Sequence, residues 1–219
     1  MKDLVVIARP GVDVKGRITV QGTALPDNAA ITPVLIPFPT AMPQLIQTVS
    51  GFGSVTFDSK TEFTITNVPP GEYAIRLVGL PPDTAVVESR KGTTRLTKGL
   101  FSVSTDSPEP LTLMVSPAGT IAGAVVDANG RPAPMVPVML LPEKAARLNA
   151  TDLRRASTDS TGNYQIRGVP PGNCTILSLI PSDASVLEQN EWRGYPVSVD
   201  SGGIVSMNLP FLGVVLPTP

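Results

Sequence analysis

The sequence predicts an all-β protein that consists of two tandem β-sandwich domains. Its 219 residues include 24 prolines and 19 glycines, which are spread along the chain and not clustered. The segments between them are short and rich in valine, isoleucine, threonine and leucine. Short β-prone segments separated by regular turn residues are typical of sandwiches, so this pattern favours a β fold.

A long repeated segment predicts the number of domains. Residues 57–73 (FDSKTEFTITNVPPGEY) resemble residues 158–174 (TDSTGNYQIRGVPPGNC), and the shared Val-Pro-Pro-Gly sequence begins at Val68 and at Val169, a separation of 169 − 68 = 101 residues. This period is much longer than the ~20–50 residues of common solenoid repeats, so each copy can enclose its own core. We therefore expect two similar domains.

The strands follow from apolar and polar alternation between the turns. Phe63 and Ile65 alternate with polar residues, as do Tyr164 and Ile166, which is expected of half-buried strands. The predicted strands of the first copy are Leu4–Ala8, Val14–Val20, Thr32–Ile36, Glu62–Thr66, Tyr73–Val78, Leu100–Ser104 and Leu111–Val115. Those of the second copy are Thr120–Asp127, Val136–Leu141, Asn163–Arg167, Cys174–Ile180, Val197–Val199 and Ile204–Leu209.

The strands divide the chain into domains. The first sandwich is expected over residues 11–116 and the second over residues 117–212, with residues 213–219 as a tail. Residues 1–10 resemble the segment that closes the first repeat. They are interpreted either as the last strand of a preceding repeat or as a strand that pairs with the first domain.

The repeated segment has a structural explanation that needs no ligand. Asp159 is expected to open a tight turn by accepting hydrogen bonds from backbone amides, and Gly162 is expected to have a positive φ. Tyr164 and Ile166 then point into the core. The prolines before Gly172 favour an extended corner, so that the following strand returns against the preceding one. The motif therefore predicts the fold and not a binding site.

The composition excludes several classes of chemistry. The chain has no histidine and a single cysteine, Cys174, so it cannot build a Ser-His-Asp or Cys-His catalytic group, a zinc site of cysteine and histidine, or an internal disulfide. With 17 basic and 18 acidic residues, a broad cationic surface for nucleic acid or anionic lipid is not expected. No apolar run is long enough to form a transmembrane segment. We predict no cofactor and no metal.

Two segments of the second copy resemble a known family. Residues 123–132 (GAVVDANGRP) and 158–173 (TDSTGNYQIRGVPPGN) look like a bacterial carboxypeptidase regulatory-like domain, and the resemblance covers most of residues 119–209. The first copy resembles the family less well because Lys60-Thr61-Glu62 lacks a turn glycine. The resemblance implies a transthyretin-like, seven-stranded sandwich of immunoglobulin type. It also implies a tandem, non-catalytic module of exported or surface proteins, with a fold shared by starch-binding-like domains.

One loop carries the candidate ligand-binding residues. Trp192, Arg193 and Tyr195 lie close together in a chain that is only 5% aromatic. Planar aromatic faces beside a polar side chain suit stacking on a sugar ring or anchoring of a partner protein. The alternative is that Trp192 folds back as a lid over the edge of the sandwich.

Other chemically suggestive residues are assigned structural roles. Asp127 with Asn129, and Asp159 with Asn163, place oxygen atoms before or beside a glycine, as calcium loops do. Neither turn supplies six oxygens or a bidentate carboxylate, so capping of the turn is favoured. Cys174 aligns with a tyrosine of the first copy and is predicted to be a small buried side chain.

The segments that differ most between the copies, 40–53 and 143–157, are expected to be loops. The second of them carries a local basic cluster that would suit an acidic glycan or a carboxylate, although a solvated loop is the favoured interpretation. The cluster consists of Lys144, Arg147, Arg154 and Arg155.

These observations favour a non-enzymatic structural or interaction module, a spacer or adhesion-type domain pair, within a larger exported bacterial protein. The alternative is a carbohydrate-binding module that uses Trp192 and Tyr195. The partners would be neighbouring domains of a longer precursor and a protein or glycan whose identity the sequence leaves open. An extracytoplasmic location, periplasmic, cell-surface or secreted, is expected if a signal peptide has been removed from the sequence.

Overall fold

The structure, a computed structural model, describes residues 11–22, 30–38, 54–105, 109–143, 153–181 and 189–215. The described residues form two compact units. The first contains those within Met1–Val20, Pro26–Leu80 and Glu88–Val115, and the second contains those within Gln21–Leu25, Pro81–Val87 and Ser116–Pro219. The predicted strand Leu4–Ala8 and the predicted loop 40–53 lie outside the described residues.

The described residues are almost entirely strands and turns. The first nine strands are β1 (Val12–Val20), β2 (Thr32–Pro37), β3 (Val55–Phe57), β4 (Glu62–Val68), β5 (Gly71–Val78), β6 (Thr84–Lys91), β7 (Thr94–Arg95), β8 (Leu100–Val103) and β9 (Leu111–Pro117). They are followed by β10 (Gly119–Val126), β11 (Pro137–Pro142), β12 (Arg154–Ser157), β13 (Asn163–Val169), β14 (Gly172–Ser178), β15 (Ile180–Pro181), β16 (Tyr195–Val199), β17 (Ile204–Ser206), β18 (Leu209–Pro210) and β19 (Val214–Val215). Within the described ranges two 3₁₀ turns occur, at Thr97–Gly99 and Glu191–Arg193.

The first unit is organised around β1. This strand pairs with β4 in the antiparallel direction and with β9 in the parallel direction, inside a sheet with the order β3-β4-β1-β9-β6-β7. A second sheet has the order β2-β5-β8. Every second residue of the central strands is buried, as half-buried strands require. The buried apolar side chains include Ile18, Leu35, Phe63, Ile65, Tyr73, Ile75, Phe101, Leu111 and Leu113.

The second unit repeats this arrangement with β10 in the place of β1. One sheet has the order β13-β10-β17, with β18 also paired to β10, and the other has the order β12-β11-β14-β16. The inner faces of both sheets supply a single apolar cluster. Its members include Ile121, Val125, Val138, Leu140, Tyr164, Ile166, Cys174, Ile176, Val197 and Leu209.

The residue before the Val-Pro-Pro-Gly motif has the same unusual conformation in both units. Asn67 has a φ of 56° and Gly168 a φ of 69°, in the left-handed region that glycine and asparagine tolerate best. At this point the ladder shifts register, so that β4 and β13 each have a bulge in which two residues face one residue of β1 or β10. The bulge turns the next residue inward, and Val68 and Val169 are completely buried.

Two aspartate turns of the second unit have the same geometry. The Oδ1 atom of Asp159 accepts hydrogen bonds from the amides of Thr161 and Asn163 at 2.8 and 2.9 Å. The Oδ1 atom of Asp127 does the same for the amides two and four residues later, at 2.8 and 2.9 Å. Gly162 has the predicted positive φ, 82°. The predicted capping role of both aspartates is therefore confirmed.

The first unit forms the equivalent turn with a different side chain. The amide of Asp58 still donates to the carbonyl of Glu62 at 3.0 Å, but the hydroxyl of Ser59 accepts the amides of Thr61 and Glu62. In this turn the serine hydroxyl therefore takes the capping role that Asp159 has in the second unit.

The third strand differs between the two units. In the first unit β3 pairs with β4, whereas in the second unit β12 pairs with β11 in the opposite sheet. The expectation that residues 143–157 form a loop was wrong for its last four residues, which form β12. The all-β class is confirmed, while the count of seven strands per repeat and the predicted domain limits stay predictions.

The segment after β18 belongs to the fold. Strand β19 pairs with β15 in the parallel direction, and the amide of Leu212 donates to the carbonyl of Ser178 at 2.8 Å. Leu212 packs against four buried side chains on the outer face of the β11 and β14 sheet. These are Met139, Leu141, Leu177 and Leu179.

The core assignment of Ile166 gives a test of the fold. Ile166 is 3% exposed inside the apolar cluster, so Ile166→Ala should lower the free energy of unfolding by about 2–5 kcal/mol through lost burial and a residual cavity. Ile204, which is 81% exposed, is the matched control, and Ile204→Ala should change stability by less than about 0.5 kcal/mol. Urea denaturation measures both, and equal midpoints for the two variants would contradict the assignment.

Candidate functional site

The predicted ligand-binding loop precedes an edge strand of the second unit. Residues Glu191–Arg193 form a 3₁₀ turn, closed by a hydrogen bond from the Gly194 amide to the Glu191 carbonyl at 2.9 Å. Strand β16 begins directly afterwards and pairs on one side with β14. The short turn therefore projects its side chains at the margin of the sheet.

Trp192 lies on the surface of this turn. Its side chain is 81% exposed and Tyr195 is 40% exposed. The alternative in which Trp192 covers the edge of the sandwich as a lid was therefore wrong. The side chain of a tryptophan has a large apolar area, and a single exposed one is a candidate anchor for a sugar ring or a partner side chain.

Arg193 has intramolecular partners. Its Nη1 atom lies 3.4 Å from the Oδ1 atom of Asn190, and its Nη2 atom donates to the carbonyl oxygen of Leu212 at 3.3 Å. The guanidinium group thus joins the 3₁₀ turn to the segment that follows β18. A ligand role for Trp192, Arg193 and Tyr195 stays a prediction, and the geometry gives Arg193 a positioning role in addition.

The free edge of β16 is poorly suited to pairing with another strand. The amide of Glu143 donates to the carbonyl of Asn173, which directs the polar backbone groups of Asn173 toward β11. In an antiparallel ladder the directions of the backbone N–H and C=O groups alternate along each strand. The backbone groups of Cys174 and of its partner Val197 therefore point toward each other, and those of Pro196 point away from β14. Proline has no amide hydrogen to donate, so the edge lacks one donor.

The equivalent edge strand of the first unit, β8, is protected in another way. The ammonium group of Lys91 donates to the carbonyl oxygen of Ser102 at 2.8 Å. Lys91 is the last residue of β6, and its ammonium group occupies a backbone acceptor of β8, whereas Pro196 removes a backbone donor from β16; both reduce the capacity of an edge to pair with another strand. Recognition at these edges would therefore depend on side chains, of which Trp192 is the most exposed large one.

The remaining candidate residues have structural surroundings. Cys174 is buried, and burial raises the pKa of its thiol, which disfavours the reactive thiolate. The pKa of Arg154 is lowered by desolvation. Of the predicted basic cluster, Arg154 and Arg155 are exposed on β12, and Lys144 and Arg147 lie outside the described residues. The carboxylate of Asp159 is held below its usual pKa by hydrogen bonds from Thr161 and Asn163, as expected of a turn cap.

A buried polar group missed by the sequence reasoning lies beside the terminal strands. The hydroxyl of Tyr164 donates to the carbonyl oxygen of Met207 at 2.7 Å, and the Oδ1 atom of Asn208 accepts the amide of Ala124 at 2.9 Å. Burial raises the pKa of Tyr164 to about 12. The only sequence signal for this contact is Asn208, a polar residue between the apolar Met207 and Leu209.

Comparison with known families agrees with these structural roles. Residues 120–178 match the carboxypeptidase regulatory-like domain family. The matched family is non-catalytic. The resemblance predicted for the second copy is therefore confirmed over the part of the chain that carries the aspartate turns and the second Val-Pro-Pro-Gly motif. The matched residues run from β10 to the end of β14, so the exposed Trp192 lies outside them.

Solved structures provide further similarities, and no match was found among curated proteins. The chain is similar to GBS52, the minor pilin of Streptococcus agalactiae, with 15% identity and a TM-score of 0.39 over 94% of this chain and 98% of that one. It is also similar to the Bacillus anthracis TIE protein, with 14% identity and a TM-score of 0.32 over 91% of this chain and 33% of that one. The major pilin subunit BcpA of Bacillus cereus shows 12% identity and a TM-score of 0.31, over 91% of this chain and 59% of that one.

The Tyr164 hydroxyl predicts an alkaline limit to stability. Its pKa is about 12 in the folded chain against 10.0 for an exposed tyrosine, so the folded state retains a proton that the unfolded state loses. The contribution is complete below pH 10 and is lost as the pH rises toward 12. Thermal denaturation of the wild type and Tyr164→Phe measures it.

The matched variant makes this measurement specific, because phenylalanine retains the ring and removes only the ionisable group. Tyr164→Phe should be less stable by about 1 kcal/mol at neutral pH, through loss of the bond to Met207, and the gap should narrow above pH 10. A gap that stays constant from pH 7 to strongly alkaline solution would mean that the hydroxyl is not buried.

Proposed function

We propose that this chain is a non-enzymatic structural module, a spacer or adhesion-type domain pair, of a larger exported bacterial protein that acts outside the cytoplasm. The observation that carries the proposal is the use of the repeated motif for folding. In the second copy Asp159 caps a turn and Tyr164 bonds a backbone carbonyl, and in both copies the valine of the motif fills the core. The hydrogen bonds and the burial of these groups are those of a folding motif.

Two further observations support the proposal. The family matched by residues 120–178 is a non-catalytic domain. The equivalent edge strands of both units are protected by Lys91 and Pro196, which suits a module that must remain folded beside other β domains.

Among the described residues no helix is long and apolar enough to cross a membrane.

A replacement experiment separates a spacer from a binding module. In the natural parent protein, residues 11–212 would be exchanged for an unrelated pair of β-sandwiches of the same length, and in a control they would be deleted. A spacer predicts that the exchange, but not the deletion, restores surface display and adhesion of the parent protein. Failure of the exchange with normal display would show that the module itself binds a partner.

The exposure of Trp192 favours a second candidate function, recognition of a glycan. An aromatic face open to solvent, with Tyr195 partly exposed close by in the chain, can stack on the apolar face of a sugar. This candidate concerns the surface loop only and is compatible with a structural role for the rest of the unit.

Fluorescence of Trp192 tests this second candidate directly because it is the only tryptophan. We expect red-shifted emission, typical of an indole in water, and a blue shift or quenching when a recognised oligosaccharide is added. Trp192→Ala should abolish binding measured by calorimetry, while Ile204→Ala, which removes another exposed side chain, should leave it unchanged. Emission that does not respond to a broad oligosaccharide panel would eliminate glycan recognition by this loop.

A further inference from the structure

Among the described strands, each unit contains an early and a late strand that lie side by side and run in the same direction. In the first unit β1 pairs with β9 from Gly16 and Leu111 to Val20 and Val115. In the second unit β10 pairs with β17 and then with β18. Each unit therefore contains a parallel pair between the first described strand of its sandwich and a late strand, and in the second unit the chain continues past β18 to β19, which pairs with β15.

This arrangement determines how a unit responds to tension along the chain. A pull on the start of β1 and the end of β9, or on the start of β10 and the end of β18, moves two parallel strands in opposite directions along their length. The hydrogen bonds between them then lie across the pulling direction and carry the load together. If the same strands were pulled apart from one end, the bonds would break one at a time.

The pair in the second unit is interrupted, and side chains bridge the interruption. Between β17 and β18 the residues Met207 and Asn208 leave the ladder. A side chain at Gly123 would come within 1.8 Å of the Met207 carbonyl oxygen, so the strands approach closely only because glycine is present. We name the residues of β10, β17, β18 and this interruption the terminal clamp.

Three hydrogen bonds hold the clamp across the interruption. The amide of Met207 donates to the carbonyl of Ala122 at 2.9 Å. The amide of Ala124 donates to the Asn208 side chain at 2.9 Å, and the Tyr164 hydroxyl donates to the Met207 carbonyl at 2.7 Å. The side chains of Asn208 and Tyr164 thus supply the bonds that a regular ladder would have made with the backbone.

We infer that the second unit bears tensile load through its terminal clamp, and that Asn208 and Tyr164 are positioning residues that maintain the clamp where its ladder is interrupted. The inference rests on the proposed structural function and deepens it. It assigns a mechanical role to polar groups that the turn and core arguments leave unexplained.

Single-molecule force spectroscopy on the full chain tests the inference. In the shear geometry, handles are attached at the two termini, so both units are stretched in series. In the peeling geometry, one handle is moved to a cysteine introduced as Asn129→Cys, in the exposed turn after β10, and the other stays at the C-terminus. Cys174 is buried and should not react in the folded chain.

The load-bearing clamp predicts a strong dependence on geometry. The second unit should unfold at a force at least about twofold lower in the peeling geometry than in the shear geometry, since its bonds then break in sequence. Equal forces in the two geometries would overturn the inference. That result would leave the spacer proposal intact, because the exchange experiment in the parent protein measures length and display and not strength.

Side-chain variants locate the resistance. In the shear geometry Asn208→Ala should accelerate forced unfolding of one of the two units by about fivefold, the effect of one lost hydrogen bond, while the other unit serves as an internal reference. Tyr164→Phe should act in the same direction. Asp159→Ala removes a turn cap outside the clamp, so it should lower the denaturation midpoint and leave the forced unfolding rate unchanged. A larger acceleration by Asp159→Ala than by Asn208→Ala would contradict the role of the clamp.

Discussion

The shift of register beside the Val-Pro-Pro-Gly motif is the constraint on which both units depend. At this point the second-last residue of β4 and of β13 adopts a positive φ, two residues face one on the partner strand, and the following valine turns into the core. Without the shift, the side-chain alternation would place Val68 and Val169 on the solvent face. The two prolines then allow the chain to leave one sheet and begin the other. Because β5 and β14 start at this corner, the position of the second sheet in each unit follows from it.

Asparagine and glycine solve this conformational problem differently. Gly168 has no side chain to clash with the backbone. Asn67 tolerates the left-handed conformation, and its side-chain Oδ1 atom accepts a stabilising hydrogen bond from the backbone amide of Gly11 at 3.1 Å. The backbone amide of Asn67 in turn donates to the carboxylate of Asp13 at 3.1 Å. In the same way, the turn before the motif is capped by the Ser59 hydroxyl in the first unit and by an aspartate in the second. The copies therefore preserve a backbone geometry with different side chains, which is why their sequence similarity is weak outside the motif.

Much of this architecture could be predicted because its signals are local. The alternation around Phe63 and Tyr164 and the turn residues near Asp159 each depend on neighbouring residues, and both were interpreted correctly. The exchange of β3 and β12 between sheets could not be predicted, because either sheet offers a half-buried edge to a short strand. The exposure of Trp192 and the bond from Arg193 to Leu212 were also inaccessible. Both depend on how the 3₁₀ turn before β16 lies relative to the segment around Leu212, about twenty residues later in the chain.

The polar contacts at the ends of the second sandwich connect these observations. A strand that closes a sandwich must be held even where its backbone departs from the ladder, because a loose last strand would expose the edge of β10 to other strands. Asn208 provides an amide oxygen for the donor that the departure leaves unpaired, and Tyr164 reaches the carbonyl from the opposite strand of the same sheet. Both groups are polar, and one of them is buried in an otherwise apolar cluster, where an unpaired group would be costly. The presence of both groups is therefore better explained by the need to hold β17 and β18 against β10 than by the core alone. Closure of the sandwich and resistance to tension are then two consequences of the hydrogen bonds made by Asn208 and Tyr164.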